Sequence, residues 1–143
     1  MIDYYTLSEE IENNFFKEVY VDIDLKYDTF SGTKIFKHML DNYNEIQTAW
    51  NNIISEIYIR KSSSGNVHLK LVIDKDYDLT FTYMMMLRTM LFDDPLRIGL
   101  DMRRVAVRGI NEVNRIFSTK IKDGSVNHVS EWITLTDYIA GVR

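Results

Sequence analysis

Glu18-Val19-Tyr20-Val21-Asp22-Ile23-Asp24-Leu25 alternates polar and apolar side chains without a break. A repeat of two is that of a β-strand with one face buried and the other open. Any fold available to this chain must put a core against the odd-numbered side of the strand. Tyr20, Asp22 and Asp24 are then left together on the opposite side.

The segments beyond this strand narrow the choice. After a break at Ser31-Gly32, the residues Ile35, Phe36, Met39, Leu40, Tyr43, Ile46, Trp50 and Ile53 recur at spacings of three and four, which predicts a long amphipathic helix. Residues 56–61 and 67–73 read as strands around Ser62-Ser63-Ser64-Gly65-Asn66, a serine–glycine hairpin loop. Residues 79–92 are apolar nearly all round and predict a buried helix, with Met84, Met85, Met86 and Met90 as adaptable packing. Asp93-Asp94-Pro95 stops it. Residues 97–103 alternate again, with Ile98, Leu100 and Met102 on one side, and predict a fourth strand; a helix beginning at Pro95 is the competing reading.

The order strand–helix–strand–strand–helix–strand is the ferredoxin-like βαββαβ unit of the α+β class. Right-handed crossovers give it the strand order 4-1-3-2 with both helices on one face. Thr6-Leu7-Ser8-Glu9 looks like a capping box opening an N-terminal helix. Residues 114–122 and 131–136 look like a C-terminal β-hairpin joined across Asp123-Gly124-Ser125. The chain of 143 residues is expected to be a single domain, 1–143, with its core in 18–103 and an extension over 104–143.

Composition sets the outer limits. With 45% apolar and 27% charged residues the chain is of ordinary globular make-up. Its longest greasy stretch, 83–87, falls far short of the ~20 residues of a membrane span. The first residues lack the pattern of a signal peptide, and there are no cysteines for disulfides, thiol catalysis or cysteine metal sites, so an intracellular, cytoplasmic protein is expected. Residues 1–30 carry eight acids and two lysines, whereas 97–122 carry seven basic residues and two acids. Such a division suits either a phosphate ligand held near a metal or two surfaces that pair with each other.

On the expected sheet the open face gathers Asp22, Asp24, His68, Lys70, Arg97, Asp101 and Arg103. An outward face is polar in any half-exposed sheet, but aspartate is disfavoured in strands and three on one face repel unless a cation lies among them. Asp22, Asp24 and Asp101 are therefore candidate ligands for Mg²⁺ or Mn²⁺, and with His68 the candidate catalytic group. His68 and Lys70, with Ser64 and the Gly65 amide, are candidates to hold a phosphate; Arg97, Arg103 and Lys120 are further ones. Tyr20 and Tyr58 either stack bases or simply shield the sheet.

Asp22-Ile23-Asp24, then Ser64-Gly65-Asn66-Val67-His68, then Leu100-Asp101 resemble, in that order, the DxD, serine–glycine–x–histidine and hydrophobic–Asp motifs of archaeo-eukaryotic primases and primase–polymerases. The resemblance implies an RNA-recognition-like (RRM-like) fold, metal binding by Asp22, Asp24 and Asp101, and nucleotide phosphate binding by Ser64 and His68. The chain is also similar to small proteins of archaeal viruses and plasmids in its Gly65-Asn66-Val67-His68 loop, in Asp93-Asp94-Pro95-Leu96-Arg97-Ile98-Gly99-Leu100-Asp101 and in Phe117-Ser118-Thr119-Lys120. Primase units normally add an α/β subdomain and often a zinc module, for which this chain has neither the length nor the cysteines.

The leading expectation is thus a small nucleic-acid-processing protein, a minimal nucleotidyltransferase or a metal-dependent nuclease, acting on DNA, RNA or nucleotides. A non-catalytic DNA- or RNA-binding module is the second reading. The third is a self-associating structural or regulatory protein, a homo-oligomer anchored near Trp132 and Tyr138. Phosphate-binding P-loop, serine-hydrolase and zinc-protease motifs do not occur.

Overall fold

The computed structural model describes residues 3–116, 119–122 and 125–141, with the backbone alone for 112, 119–122 and 125–128. Strand β1 (Glu18–Lys26) buries Val19, Val21 and Ile23 and turns its even-numbered residues outward, as its alternation requires. Helix α2 (Lys34–Ala49) begins where the Thr33 hydroxyl accepts from the Phe36 amide, and it buries Phe36, Met39 and Ile46. Strands β2 (Ile54–Lys61) and β3 (Asn66–Ile73) form the expected hairpin, and β3 lies between β1 and β2, antiparallel to both. Helix α3 (Phe81–Met90) contributes Met84, Met85 and Leu87 to the interior, while Met86 stays exposed. The odd-numbered face of the sheet and the buried sides of α2 and α3 belong to one apolar cluster.

The architecture is α+β with an open four-stranded antiparallel sheet, compatible with a ferredoxin-like plan. Its strand order departs from the expectation. Residues 97–103 do not form a strand next to β1; they lie inside helix α4 (Pro95–Arg108). The fourth place is taken instead at the other edge by β6 (Ile133–Thr134), giving β1-β3-β2-β6. Helix α4 starts with Asp94, whose carboxylate accepts from the Leu96 amide, and with Pro95 in the first turn. Its buried side carries Asp101 and Val105, so Leu96, Leu100 and Met102 are left exposed. An aspartate in the inward stripe hid the helical period, and the remaining apolar residues happened to alternate.

With no strand on the side away from β3, β1 would expose a row of unpaired backbone groups along that edge, a state that proteins avoid. Side chains and a loop fill the vacancy. Asn114 accepts from the Tyr20 amide (2.9 Å) and donates to the Glu18 carbonyl (2.7 Å). Arg97 donates to the Tyr20 carbonyl (2.9 Å), Asp93 accepts from the Asp22 amide (2.8 Å), and the Asp94 amide donates to the Asp22 carbonyl (2.8 Å). Each contact stands where a ladder hydrogen bond would be.

The ends of the chain also differ from the reading of the sequence. Helix α1 (Tyr4–Asn13) starts before the expected box, capped by Asp3, to which both the amide and the hydroxyl of Thr6 donate. Among the described residues, strands β4 (Thr119–Lys122) and β5 (Ser125–His128) pair with each other. Of the strand expected over 131–136 only 133–134 is extended, as β6, and the helix α5 (Leu135–Ile139) begins directly after it. Residues 117–118 and 123–124, the latter part of the expected junction, lie outside the described residues. No helix among the described residues is long and apolar enough to cross a membrane.

Candidate functional site

Strand pairing arranges the open face in cross-strand rows. Asp22, His68 and Arg60 stand side by side in one row, and Tyr20, Lys70 and Tyr58 in the next. Within the first row, Arg60 Nε donates to His68 Nδ1 at 3.1 Å. Nδ1 must therefore be an unprotonated acceptor, which leaves the ring proton on Nε2, 3.8 Å from Asp22 Oδ1. Burial, then repulsion from Arg60 and Arg97, pushes the His68 pKa down to about 4. His68 is accordingly a neutral N–H donor at physiological pH, not a base. Burial pushes the Asp22 carboxyl above its usual range; Arg97 opposes this, and Asp93, Asp94 and Asp24 reinforce it.

A cavity of about 550 Å³ opens over Asp22 and His68. Ser62, Ser63 and Ser64 form one wall, and Asp94, Arg97 and Arg104 from the start and middle of α4 form another. Arg115 closes it, with Leu96, Leu100 and Ile116 as an apolar border. The serine wall is shaped by a tight turn: the Gly65 amide donates to the Ser62 carbonyl and the Ser62 amide to the Asn66 carbonyl. Gly65 has φ +89°, in the left-handed region where glycine is unstrained. Arg97 is anchored by Asp93 (2.6 Å), the Tyr20 carbonyl and the Arg115 carbonyl (3.0 Å), which fixes its guanidinium beside the cavity.

Asp22, His68, Ser64 and Arg97 thus line one cavity, Arg97 from α4 rather than from the expected fourth strand. The other two expected acids do not. Asp22 and Asp24 part at a bulge: Ile23 pairs with Val67, but Asn66 pairs with Lys26 rather than Asp24. Asp24 accepts from the Asn66 side chain (3.2 Å) and faces a neighbouring cavity at the β1 edge. Asp101 is buried in α4, where its oxygens accept from Arg88 (2.7 Å), Arg104 (2.9 Å) and the Asn114 amide (3.1 Å). Burial raises its pKa, but these donors outweigh burial and hold it below the usual carboxylate range. Its lone pairs serve Arg88, a fully buried cation that also binds Asp93 at 2.6 Å. The set Asp22, Asp24 and Asp101 therefore does not fit a shared metal ion. Among the described residues no group of three or more histidines and acids stands where it could hold one.

Other candidates lie elsewhere. Gly65 shapes the turn without lining the cavity, and Arg103 is exposed on α4 away from it. Lys70 faces Tyr58 and Trp132, with its Nζ 4.9 and 5.1 Å from the ring centres. The side chain of Lys120 lies outside the described residues. Sequence reasoning missed Asp94, Arg104, Arg115 and the pairing of Arg60 with His68. Asp94-Pro95 was the available signal, since an aspartate before a proline is a helix start. Comparison with protein-family models, curated proteins and solved structures returned no match.

Proposed function

We propose that the chain binds a nucleotide, or the phosphate-bearing end of a DNA or RNA strand, in the cavity above Asp22 and His68. The observation that carries this reading is the meeting of a neutral imidazole N–H with three arginines, Arg97, Arg104 and Arg115, around a volume of about 550 Å³. Guanidinium groups held in place by other hydrogen bonds suit the planar recognition of phosphate oxygens. The next row supplies a reason to prefer a nucleotide over bare phosphate. Tyr20 and Tyr58 flank Lys70 there, and Arg60 stacks 4.2 Å from the Trp132 ring, so bases have aromatic faces within reach.

A divalent cation belongs to the proposal in reduced form. Mg²⁺ and Mn²⁺ are commonly held by one or two carboxylates and completed by substrate phosphate and water. Asp22 and Asp94 line the same cavity and are the pair available for this. Such an ion would supply the charge neutralisation that phosphodiester transfer or hydrolysis needs. The burial of Asp101 in an arginine network favours the second reading, a nucleic-acid-binding module without catalysis.

Calorimetry with inorganic phosphate, a nucleoside monophosphate and a short 5′-phosphorylated oligonucleotide, each with and without Mn²⁺, tests both. Binding of the nucleotide or oligonucleotide is expected, weakened about tenfold in His68→Asn, which keeps an acceptor for Arg60 but whose shorter amide has no donor at the place of Nε2. Asp22→Asn is expected to remove any strengthening by Mn²⁺ while leaving metal-free binding intact. Absence of binding by the wild-type chain to every phosphate ligand overturns the proposal. Binding indifferent to Mn²⁺, with no turnover, selects the module.

A further inference from the structure

A second cavity, of about 460 Å³, shares no residue with the first. It lies where the α2–β2 connection meets the segment leading into α3, and its walls are aromatic. The rings of Trp50 and Tyr83 stand 5.5 Å apart at 89°, two faces of a corner. Tyr77 supplies a third wall, its hydroxyl donating to the Asn51 carbonyl at 2.9 Å. Asp78 stands at the rim.

The corner is built in advance of any ligand. Asn51 and Asn52 both take left-handed conformations, with φ 48° and 60°, a region asparagine tolerates better than most residues. The Asn52 amide donates to the Gln47 carbonyl, and the Gln47 amide group bridges both backbone groups of Ile54 at 2.8 and 3.0 Å. The Asp74 amide donates to the Ile53 carbonyl and ties the second segment to the first.

Its electrostatics favour cations. Asp74-Lys75-Asp76-Tyr77-Asp78 brings three acids and one lysine to this end of the molecule. One ammonium group is already drawn there: Lys17 Nζ donates to the Tyr77 carbonyl at 3.0 Å and lies 3.9 Å from Asp78. Aromatic faces attract cations through their quadrupoles, most strongly for tryptophan, and an acid at the rim adds to that attraction. Tryptophan and tyrosine walls provide few of the donors that an anion would require.

We propose that this cavity binds an alkylated ammonium group, through the faces of Trp50, Tyr77 and Tyr83 and the charge of Asp78. The chemistry is shared by small quaternary amines and by trimethylated lysine side chains, and the test separates these sources. The chain contains two tryptophans, so Trp132→Phe leaves Trp50 as the sole tryptophan fluorophore in the protein. Titration with tetramethylammonium chloride, against sodium chloride at equal ionic strength, is expected to change Trp50 emission saturably. Choline and a trimethyllysine peptide are titrated next, with dimethylbutanol, the uncharged isostere of choline, and the unmodified peptide as controls.

Tyr83 is half exposed, so Tyr83→Leu leaves the fold in place; it is expected to weaken binding about tenfold, and Asp78→Asn about threefold. Tighter binding of the trimethyllysine peptide than of choline assigns the source to a partner chain, and the reverse assigns it to a small molecule. Emission that never saturates, equal binding of dimethylbutanol, or an unchanged affinity in Tyr83→Leu overturns the proposal. If Trp132→Phe perturbs the fold, the indole N–H resonance of Trp50 in the wild-type chain gives the same readout: a saturable shift supports binding, and its absence refutes it.

Discussion

Replacing His68 by asparagine should remove a measurable part of the acid sensitivity of the fold. An unfolded histidine titrates near 6.5, whereas burial and the arginines beside it push His68 down to about 4 in the folded chain. Between those values the unfolded state takes up a proton that the folded state refuses. The stabilising contribution is therefore complete above about pH 6.5 and is lost as the pH falls toward 4. A depression of this size corresponds to about 3 kcal/mol; solvent screening of the Arg60 and Arg97 repulsions brings it to about 2 kcal/mol. Over the same interval the melting temperature should fall by about 4–8 °C from this source. Asp22, whose carboxyl burial pushes up, works in the opposite sense at the low end of the window. It is present in both proteins, so the difference between them isolates His68. Urea unfolding followed by circular dichroism, at intervals from pH 7.5 to 4.5, should show wild type losing about 2 kcal/mol more than His68→Asn. Parallel curves, or a His68 ring titrating near 6.5 by NMR, would refute the inference that Arg60 holds Nδ1 unprotonated.

Two further outcomes concern the missing strand's replacement: the network behind it, through Asp101, and the edge contact itself, through Asn114. Asp101→Ala should cost about 3–5 kcal/mol, because it leaves Arg88 half-paired in a fully buried place. Asp101→Asn, which keeps an acceptor, should cost less, and urea unfolding reads both; a metal ligand would instead lose metal with little change in stability. Asn114→Ala should cost about 1–3 kcal/mol by freeing the Tyr20 amide and the Glu18 carbonyl. Hydrogen exchange at the Tyr20 amide should accelerate, and unchanged protection there would show that Asn114 does not seal the edge.

The arginine network explains how one edge of a small sheet can have its backbone groups satisfied and still border a cavity. Arg88 draws Asp93 and Asp101 together behind β1, and Arg97 links Asp93 to the β1 backbone. Asp93 and Arg97 then present backbone-matching groups to β1, while Asp94 and Arg97 border the cavity. A paired strand in that place would have covered the β1 edge without leaving a gap. The absence of strand pairing is thus what makes room for the cavity over Asp22.

Local periodicity determined much of this protein without help from the rest of the chain. The alternation in β1 and the apolar stripes of α2 and α3 are satisfied by a short stretch and a single buried face, so they read directly from the residues. The same holds for the turn at Gly65 and for the face that Asp22 and His68 each take, whereas their standing opposite one another is set by the register of β1 on β3. The fate of 97–103, of Asp24 and of Asp101 was settled only in three dimensions. A carboxylate counts as outward-facing in any one-dimensional pattern, and only the arrival of Arg88 from α3 makes an inward Asp101 stable. A bulge leaves no trace in composition, yet it separates Asp24 from Asp22. Long-range partners decide which polar groups can be buried, and that choice, more than hydrophobic pattern, fixed the final shape of the site.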